Sequence, residues 1–246
     1  MAKYFWDTQV EYLRHSRALY YNDDYIEFLV KMVWKIETPV HVIDFGCGYG
    51  YLGLKLLPLL PKGSKYTGID LGDKLLQEAK DLFAALPYET EFVQGDIQEM
   101  SLERKYDIAI CHSFLLHVSD PKAILKKMLY CVEDGGKVIT FEPHWISSSS
   151  GFYLHGYDQS SIVQLGLLQK LYEKDAARIG KDGNIGMKIP MYLSQLGLKD
   201  NYLTYFVIVI MLNHLTRIEL HLLTILIERG ATQTEAEIQY ENELLL

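Results

Sequence analysis

Positive charge is scarce in this sequence of 246 residues, and it is not concentrated anywhere. Lysine and arginine total 24 against 32 aspartates and glutamates, which leaves a net charge of −8. A nucleic-acid-binding surface needs clustered Lys and Arg to contact phosphates. The lysines here are scattered, and Lys122, Lys126 and Lys127 fit a solvated helix face. The composition therefore argues against nucleic acid as a partner.

Cysteine is also rare. Cys47, Cys111 and Cys131 are odd in number and form no C-x-x-C pair. This usage predicts a reducing compartment and hence a cytoplasmic location. The cysteines also lack metal-ligand spacing, so no metal is expected.

Long uninterrupted apolar runs are missing as well. The first residues, MAKYFWDTQVEYLRHSR, have no continuous apolar core, so they do not predict a secretory signal. Polar residues beginning with Asn213 and His214 interrupt the apolar stretch that starts YLTYFVIVIML at 202–212, so no run approaches the roughly 18 residues of a membrane span. A buried strand followed by a core helix is predicted there, with membrane attachment as the minor alternative.

Regular alternation of strand and helix patterns is what the sequence does contain. Five short apolar segments, rich in β-branched residues, alternate with helical patterns, and they span 40–45, 65–70, 90–97, 106–114 and 137–143. This order predicts an α/β fold with a doubly wound, mainly parallel Rossmann-like sheet and helices on both faces. Ligands of such sheets bind beyond the carboxyl ends of the strands.

The segments before and after this core are predicted to be mainly helical. Residues 1–37 are predicted to form a helical N-terminal extension or lid, and 38–143 the core itself. The segment 144–200 is predicted to form a cap or substrate wall, beginning as a loop and continuing as a helix over 162–179. The last segment, 201–246, is predicted to hold a sixth strand at 205–210 and C-terminal helices.

The Gly-rich stretch VIDFGCGYGYLG at 42–53 fits two ligand-binding patterns. Counted from Gly48 it is G-x-G-x-x-G, as in NAD or flavin sites, and counted from Asp44 it is D-x-G-x-G-x-G, as in S-adenosyl-L-methionine (SAM) sites. The extra Gly46 and the carboxylate of Asp44 favour SAM, because a fixed negative charge repels a pyrophosphate. In this interpretation Gly53 is a close-packing position on the helix.

Carboxylates end three predicted strands. Asp44, Asp70 and Asp96 together make an acidic rim, which suits the ammonium and sulfonium of SAM. The position of Asp70 allows either of two roles, binding ribose hydroxyls or capping the strand end.

Five motifs, taken in order, resemble those of class I SAM-dependent methyltransferases, in particular the small-molecule branch of ubiquinone and menaquinone biosynthesis methyltransferases. The motifs are VIDFGCGYGYLG, GIDLGDKLL, FVQGDIQEM, SFLLHVSDPKAILKKML and EDGGKVITFEP, between residues 40 and 143. The family ends with two further strands, whereas only 205–210 fits a sixth strand here and no seventh is evident.

The resemblance implies a set of cofactor-binding residues for SAM. The methionine portion would lie along the Gly-rich turn and near His112. Asp44, from its position at the strand end, either braces the amides of the turn or contacts the methionine ammonium. The ribose would bind Asp70, and the adenine would contact Leu71, Asp96 and the Ile97 amide. The turn residues implied are Gly46, Cys47, Gly48 and Gly50.

Two further groups are candidates for the site. Tyr21, within YYNDDY, either covers the cofactor and contacts its sulfonium methyl or makes a helix–helix contact. His117 and His144 are the candidate general bases, needed only if the acceptor is a hydroxyl or a protonated amine. Each is otherwise a packing or loop histidine. Glu142 either orients the acceptor or bonds to a backbone amide.

The sequence thus predicts a SAM-dependent methyltransferase that acts on a small-molecule acceptor, as a monomer or homodimer. A SAM-binding protein without transferase activity and, third, an NAD-dependent oxidoreductase are the alternatives.

Overall fold

A computed structural model of the chain describes residues 4–21, 23–150, 156, 158–162, 164–179 and 181–198. They fall into two compact units. The first contains the chain up to Glu142 and the segment that starts at Lys188, and the second contains Pro143–Met187. The predicted sixth strand and C-terminal helices lie outside the described residues. Within the described ranges, no helix has both the length and the apolarity to span a membrane.

A five-stranded parallel sheet forms the centre of the first unit. The strands are β1 (His41–Phe45), β2 (Lys65–Asp70), β3 (Glu89–Gln94), β4 (Tyr106–His112) and β5 (Val132–Phe141). Their order is β3-β2-β1-β4-β5, and all neighbours are parallel. Together with the helices that flank the sheet, this confirms the predicted fold class. The order reverses between β1 and β4, so the carboxyl ends of these two strands border the crevice where such sheets bind ligands.

The strands match the predicted segments closely, with one irregularity in β5. That strand begins at Val132, and its register against β4 shifts between Tyr106 and Ile108. Asp134-Gly135-Gly136 therefore lies inside the strand as an irregularity, where Gly135 has a φ of +84°.

Helices of the first unit follow the predicted alternation. They are α1 (Val10–Tyr20), α2 (Asp23–Phe28), α3 (Tyr51–Leu56), α4 (Asp73–Phe83) and α5 (Pro121–Tyr130). Asp120 caps α5, because its Oδ1 accepts the N–H of Ala123 at 2.9 Å. The cap of α4 comes from far away in sequence: Oδ1 of Asp7 accepts the N–H groups of Lys74 and Leu75 at 3.1 and 3.2 Å.

The second unit is more helical than the sequence predicts. It contains α6 (Trp145–Ser150), α7 (Gln159–Ile162) and α8 (Leu165–Ile179). The last of these confirms the predicted helix, but the expectation of a loop over 145–150 was wrong. His144 explains the difference, because its Nδ1 lies 3.3 Å from the N–H of Ser147 and caps the first turn of α6. A short helix, α9 (Ile189–Gln195), returns the chain to the first unit.

Candidate active site

The turn between β1 and α3 has a backbone that only glycine adopts easily. Gly46, Gly48 and Gly50 have φ angles of +71°, +55° and +79°. The N–H groups of Gly46 and Cys47 both donate to the carbonyl of Ile69, at 2.8 and 3.0 Å. The turn is therefore anchored to the end of β2, beside the reversal point of the sheet.

Asp70 braces this turn from the neighbouring strand. Its Oδ2 accepts the N–H of Gly48 at 2.8 Å, and its Oδ1 accepts the N–H of Gly72 at 2.8 Å. Burial raises the pKa of Asp70, although the backbone hydrogen bonds work in the opposite direction. The carboxylate thus caps the strand end, and this role leaves room for a ligand because each oxygen can accept a second hydrogen bond.

Asp44 is the most deeply buried acid at the turn, with 1% of its surface exposed. Its Oδ2 accepts the hydroxyl of Tyr66 at 2.6 Å. Its Oδ1 has no hydrogen-bond partner within the part of the chain that the structure describes. Burial raises the pKa of Asp44 to about 7, against the lowering effect of the Tyr66 hydroxyl. A buried carboxylate oxygen without a donor is unfavourable unless a ligand provides one.

Gly53, in the first turn of α3, makes room for the contact between Tyr66 and Asp44. A Cβ atom there would lie 2.7 Å from Cζ of Tyr66. The tyrosine ring therefore packs directly on the helix backbone, which brings its hydroxyl to Asp44. The geometry agrees with a packing role for Gly53.

A cavity opens beside Asp44. The lining residues come from α1 and the residue after it, from β1, from the glycine-rich turn, from the start of α3 and from the end of β4: Leu13, Arg17, Tyr21, Asp44, Gly46, Cys47, Gly48, Tyr49, Tyr51, Leu52 and His112. Its volume is about 20 Å³, enough for one water molecule. Five of the residues predicted to bind the cofactor therefore line one cavity, namely Asp44, Gly46, Cys47, Gly48 and His112. Tyr21, for which a helix–helix contact was the alternative prediction, lines the same cavity.

Arg17 was missed by the sequence analysis. Its Nη1 lies 2.9 Å from Nδ1 of His112. A guanidinium only donates, so Nδ1 of His112 accepts and the ring is neutral with its proton on Nε2. Burial and the charge of Arg17 hold the pKa of His112 well below its usual value. A positive Arg17 and a buried acid, Asp44, therefore line the same small cavity.

Tyr21 packs inside this wall. Its ring centroid lies 4.7 Å from that of His112 and 5.0 Å from that of Tyr51, the latter edge-on. Burial raises the pKa of its hydroxyl. The tyrosine therefore joins α1 to the sheet and presents an aromatic ring at the cavity.

A second group of predicted residues lies at the ends of β2 and β3. Asp96 accepts the N–H of Gln98 at 2.9 Å through Oδ1, and the side chain of Ile97 is 4% exposed. Leu71 is 43% exposed, which leaves its side chain open to a ligand. Tyr4 lies close by: burial and the charges of Asp70, Asp7 and Asp96 raise the pKa of its hydroxyl.

His117 lies on a short 3₁₀ helix, Leu115–His117, after β4. Its ring is 5.1 Å from that of Trp6, in an edge-on arrangement. Glu142 holds this 3₁₀ helix, because Oε1 accepts the N–H groups of Phe114 and Leu115 at 2.9 Å each and Oε2 accepts that of Leu116 at 3.3 Å. Of the two roles predicted for Glu142, the structure therefore shows the backbone contact. Burial raises the pKa of Glu142 to about 7.

His144 belongs to the second unit. Its Nδ1 lies 2.5 Å from Oγ of Ser147, as well as accepting the Ser147 amide. The histidine thus serves as a helix cap there, a role the sequence did not indicate.

The amino-acid sequence matches a known protein family. A family model described as a methyltransferase domain matches residues 36–178. Ubiquinone biosynthesis O-methyltransferase of Nitrosomonas europaea is 30% identical over 142 residues, which cover 56% of this chain and 57% of that protein. The same enzyme of Salmonella typhimurium is 33% identical over 99 residues, 39% of this chain and 40% of that protein. The chain therefore aligns with about half the length of these relatives.

Solved structures of methyltransferases are also similar to part of this chain. A SAM-dependent methyltransferase from Clostridium acetobutylicum covers 57% of this chain and 58% of its own length, with 18% identity and a TM-score of 0.47. A DhpI–SAH complex covers 58% and 68%, with 19% identity and a TM-score of 0.46. The family match spans more than half of the sequence, including the whole sheet, the glycine-rich turn and His117. This chain belongs to the methyltransferase domain family.

Proposed function

We propose that the protein binds SAM at the cavity beside Asp44 and transfers its methyl group to a small-molecule acceptor. The observation that carries the proposal is Asp44, which lines the cavity and whose buried Oδ1 has no donor among the described residues. The ammonium of the cofactor's amino acid portion is such a donor. Arg17 on the same cavity suits its carboxylate, so the two charges of the wall match the two charges of the ligand.

The remaining cofactor assignments are those that the family resemblance implies, and the grouping of these residues at the ends of β2 and β3 supports them. Asp70 is proposed to bind the ribose, and Leu71, Asp96 and the amide of Ile97 the adenine. Gly46, Cys47, Gly48 and Gly50 form the backbone along the methionine portion. Tyr21 and His112 complete its wall. A dinucleotide is disfavoured, because its pyrophosphate would face the buried charge of Asp44.

The N-terminal segment is proposed to act as the lid of this site. Leu13, Arg17 and Tyr21 all belong to it and line the cavity. A space of about 20 Å³ holds one water molecule and not an amino acid. We propose that α1 shifts outward as the cofactor enters and that its return afterwards excludes water from the transfer.

The chemistry needs few protein groups. The bound cofactor supplies an electrophilic methyl group on a sulfonium, which is already a good leaving group. The protein has to align the acceptor and exclude water. Because the named relatives are O-methyltransferases, we propose a hydroxyl acceptor and His117 as the base that takes its proton, on a 3₁₀ helix held by Glu142. His144 is the second candidate base.

We further propose a cytoplasmic protein, monomeric or homodimeric. Its support is the cysteine chemistry: Cys47, Cys111 and Cys131 are buried free thiols, as suits a reducing compartment.

Calorimetric titration with S-adenosylhomocysteine (SAH) and with NADH tests the ligand. We expect SAH to bind and NADH not to bind. Binding of NADH alone would overturn the proposal. Transfer of a labelled methyl group to a panel of phenols and other hydroxyl compounds tests the activity, and SAH binding with no transfer to any of them would favour a SAM-binding protein without transferase activity.

Substitution of Asp70 tests the site itself. Asp70→Ala removes the acceptor of two backbone amides and of the ribose, so SAH affinity should fall by about 1–3 kcal/mol, roughly fivefold to 150-fold. Asp81→Ala, at an exposed position of α4, is the matched control and should bind as the wild type does. Equal affinity of the two variants would refute the assignment.

A further inference from the structure

The turn after β3 presents the groups proposed to recognise adenine. Gly95 donates its N–H to the carbonyl of Asp70 at 3.0 Å. The carbonyl of Asp96 accepts the N–H groups of Glu99 and Met100 at 3.0 and 2.8 Å. Oδ1 of Asp96 accepts the N–H of Gln98. Asp96 therefore builds the turn with one carboxylate oxygen and its own carbonyl, which leaves Oδ2 for a ligand.

A lysine from another part of the chain completes the turn. Nζ of Lys127, on α5, donates to the carbonyls of Ile97 at 2.7 Å and Met100 at 3.1 Å, and to that of Gln98. An ammonium has three donors and no acceptor, so these bonds use all of them. The sequence predicts Lys127 on a solvated helix face, and this prediction is wrong because the ammonium is bonded to the turn. Its neighbour Lys126 is exposed.

The ammonium matters because of where the three carbonyls point. They converge on one position, and their partial negative charges repel one another unless a cation lies between them. The buried Ile97 side chain fixes the backbone of the turn to the core. The turn is thus held between an apolar anchor and a cation, and the direction of the Ile97 amide and the Asp96 side chain depends on both.

We propose that Lys127 is a positioning residue for base recognition: it sets the adenine-binding turn so that Asp96 and the Ile97 amide can distinguish adenine from other bases. The inference rests on the proposed function, since it presupposes that SAM binds with its adenine at this turn. Lys127 itself lies behind the turn, on its carbonyl side, and acts through Asp96 and Ile97.

The test compares SAH with S-inosylhomocysteine, whose base carries an oxygen in place of the adenine amino group. In the wild type, Asp96 accepts from the amino group and would face the oxygen unfavourably, so SAH should bind at least about tenfold more tightly. Lys127→Met keeps the aliphatic stem and removes the ammonium. This variant should lose most of that preference and bind SAH about tenfold more weakly. Lys126→Met is the matched control and should keep both values.

The ratio of the two affinities separates positioning from general destabilisation, because a fold that is merely less stable weakens both ligands alike. Circular dichroism shows whether the variant folds. If Lys127→Met does not fold, Lys127→Gln, which keeps two donors, replaces it, with a smaller loss of preference expected. A wild-type ratio in whichever variant folds would overturn the inference while leaving SAM binding intact. Failure of the wild type to bind SAH would overturn the proposed function and this inference together.

Discussion

Asp44→Asn should make the ligand-free protein more stable while weakening its cofactor binding. Asp44 is buried against Tyr66, and burial raises its pKa from 3.8 to about 7. At about 1.36 kcal/mol for each pKa unit, its ionisation costs the fold roughly 4 kcal/mol. Asparagine has nearly the same shape and no charge, and its carbonyl can still accept the Tyr66 hydroxyl.

The sign of the pH dependence follows from the raised pKa. Between pH 3.8 and about 7, the folded protein holds a proton on Asp44 that the unfolded chain has released, so this residue lowers stability as the pH rises. The advantage of the asparagine variant should therefore grow over that range and become constant above about pH 7. Because ionising Asp44 costs the fold roughly 4 kcal/mol and the Asn amide also has to be buried, we expect a gain of about 2–4 kcal/mol at pH 8.

Urea unfolding at pH 5, 6.5 and 8 measures this gain, with Asp81→Asn as the exposed control. At an m-value of about 2 kcal/mol/M, the midpoint should rise by about 1–2 M at pH 8 and by less at pH 5. SAH affinity should fall about tenfold to a hundredfold, because the charged acceptor for the ammonium is lost. A gain that is absent at pH 8, or equal at all three pH values, would show that Asp44 is not held as an uncompensated buried acid.

Two other substitutions test the supports of the site. Glu142→Gln places an amide donor against backbone N–H groups that donate to the carboxylate in the wild type, so the 3₁₀ helix that carries His117 should shift. Methyl transfer should then fall by about tenfold or more, while SAH affinity stays unchanged. Parallel losses of transfer and of SAH affinity would contradict this prediction. Gly53→Ala forces a methyl group against the buried Tyr66 ring and should lower the free energy of unfolding in urea by about 1–3 kcal/mol. Gly166→Ala, on α8 with open space around its Cα, is the control and should leave that free energy unchanged or raise it. Equal stability of the two alanine variants would refute the packing argument.

Features that depend on neighbouring residues were determined by the sequence alone. The five strands and the Asp120–Pro121 start of α5 follow from side-chain periodicity and from local capping. The glycine-rich turn was predictable because its positive φ angles restrict it to glycine. The parallel sheet follows in turn, since strands that alternate regularly with helices are typical of βαβ units, whose strands run in the same direction.

Contacts between distant segments were decided only by the tertiary structure. Arg17 reaches His112, Asp7 caps α4 and Lys127 holds the turn at Ile97, because the packing of helices on the sheet brings together residues that no local pattern connects. The same holds for the two candidate histidines, which were equivalent in the sequence. Folding places His117 beside Trp6 on a 3₁₀ helix held by Glu142 and makes His144 the cap of α6. Local sequence determines which element forms, whereas the partner of a buried polar group depends on which segments the core brings together.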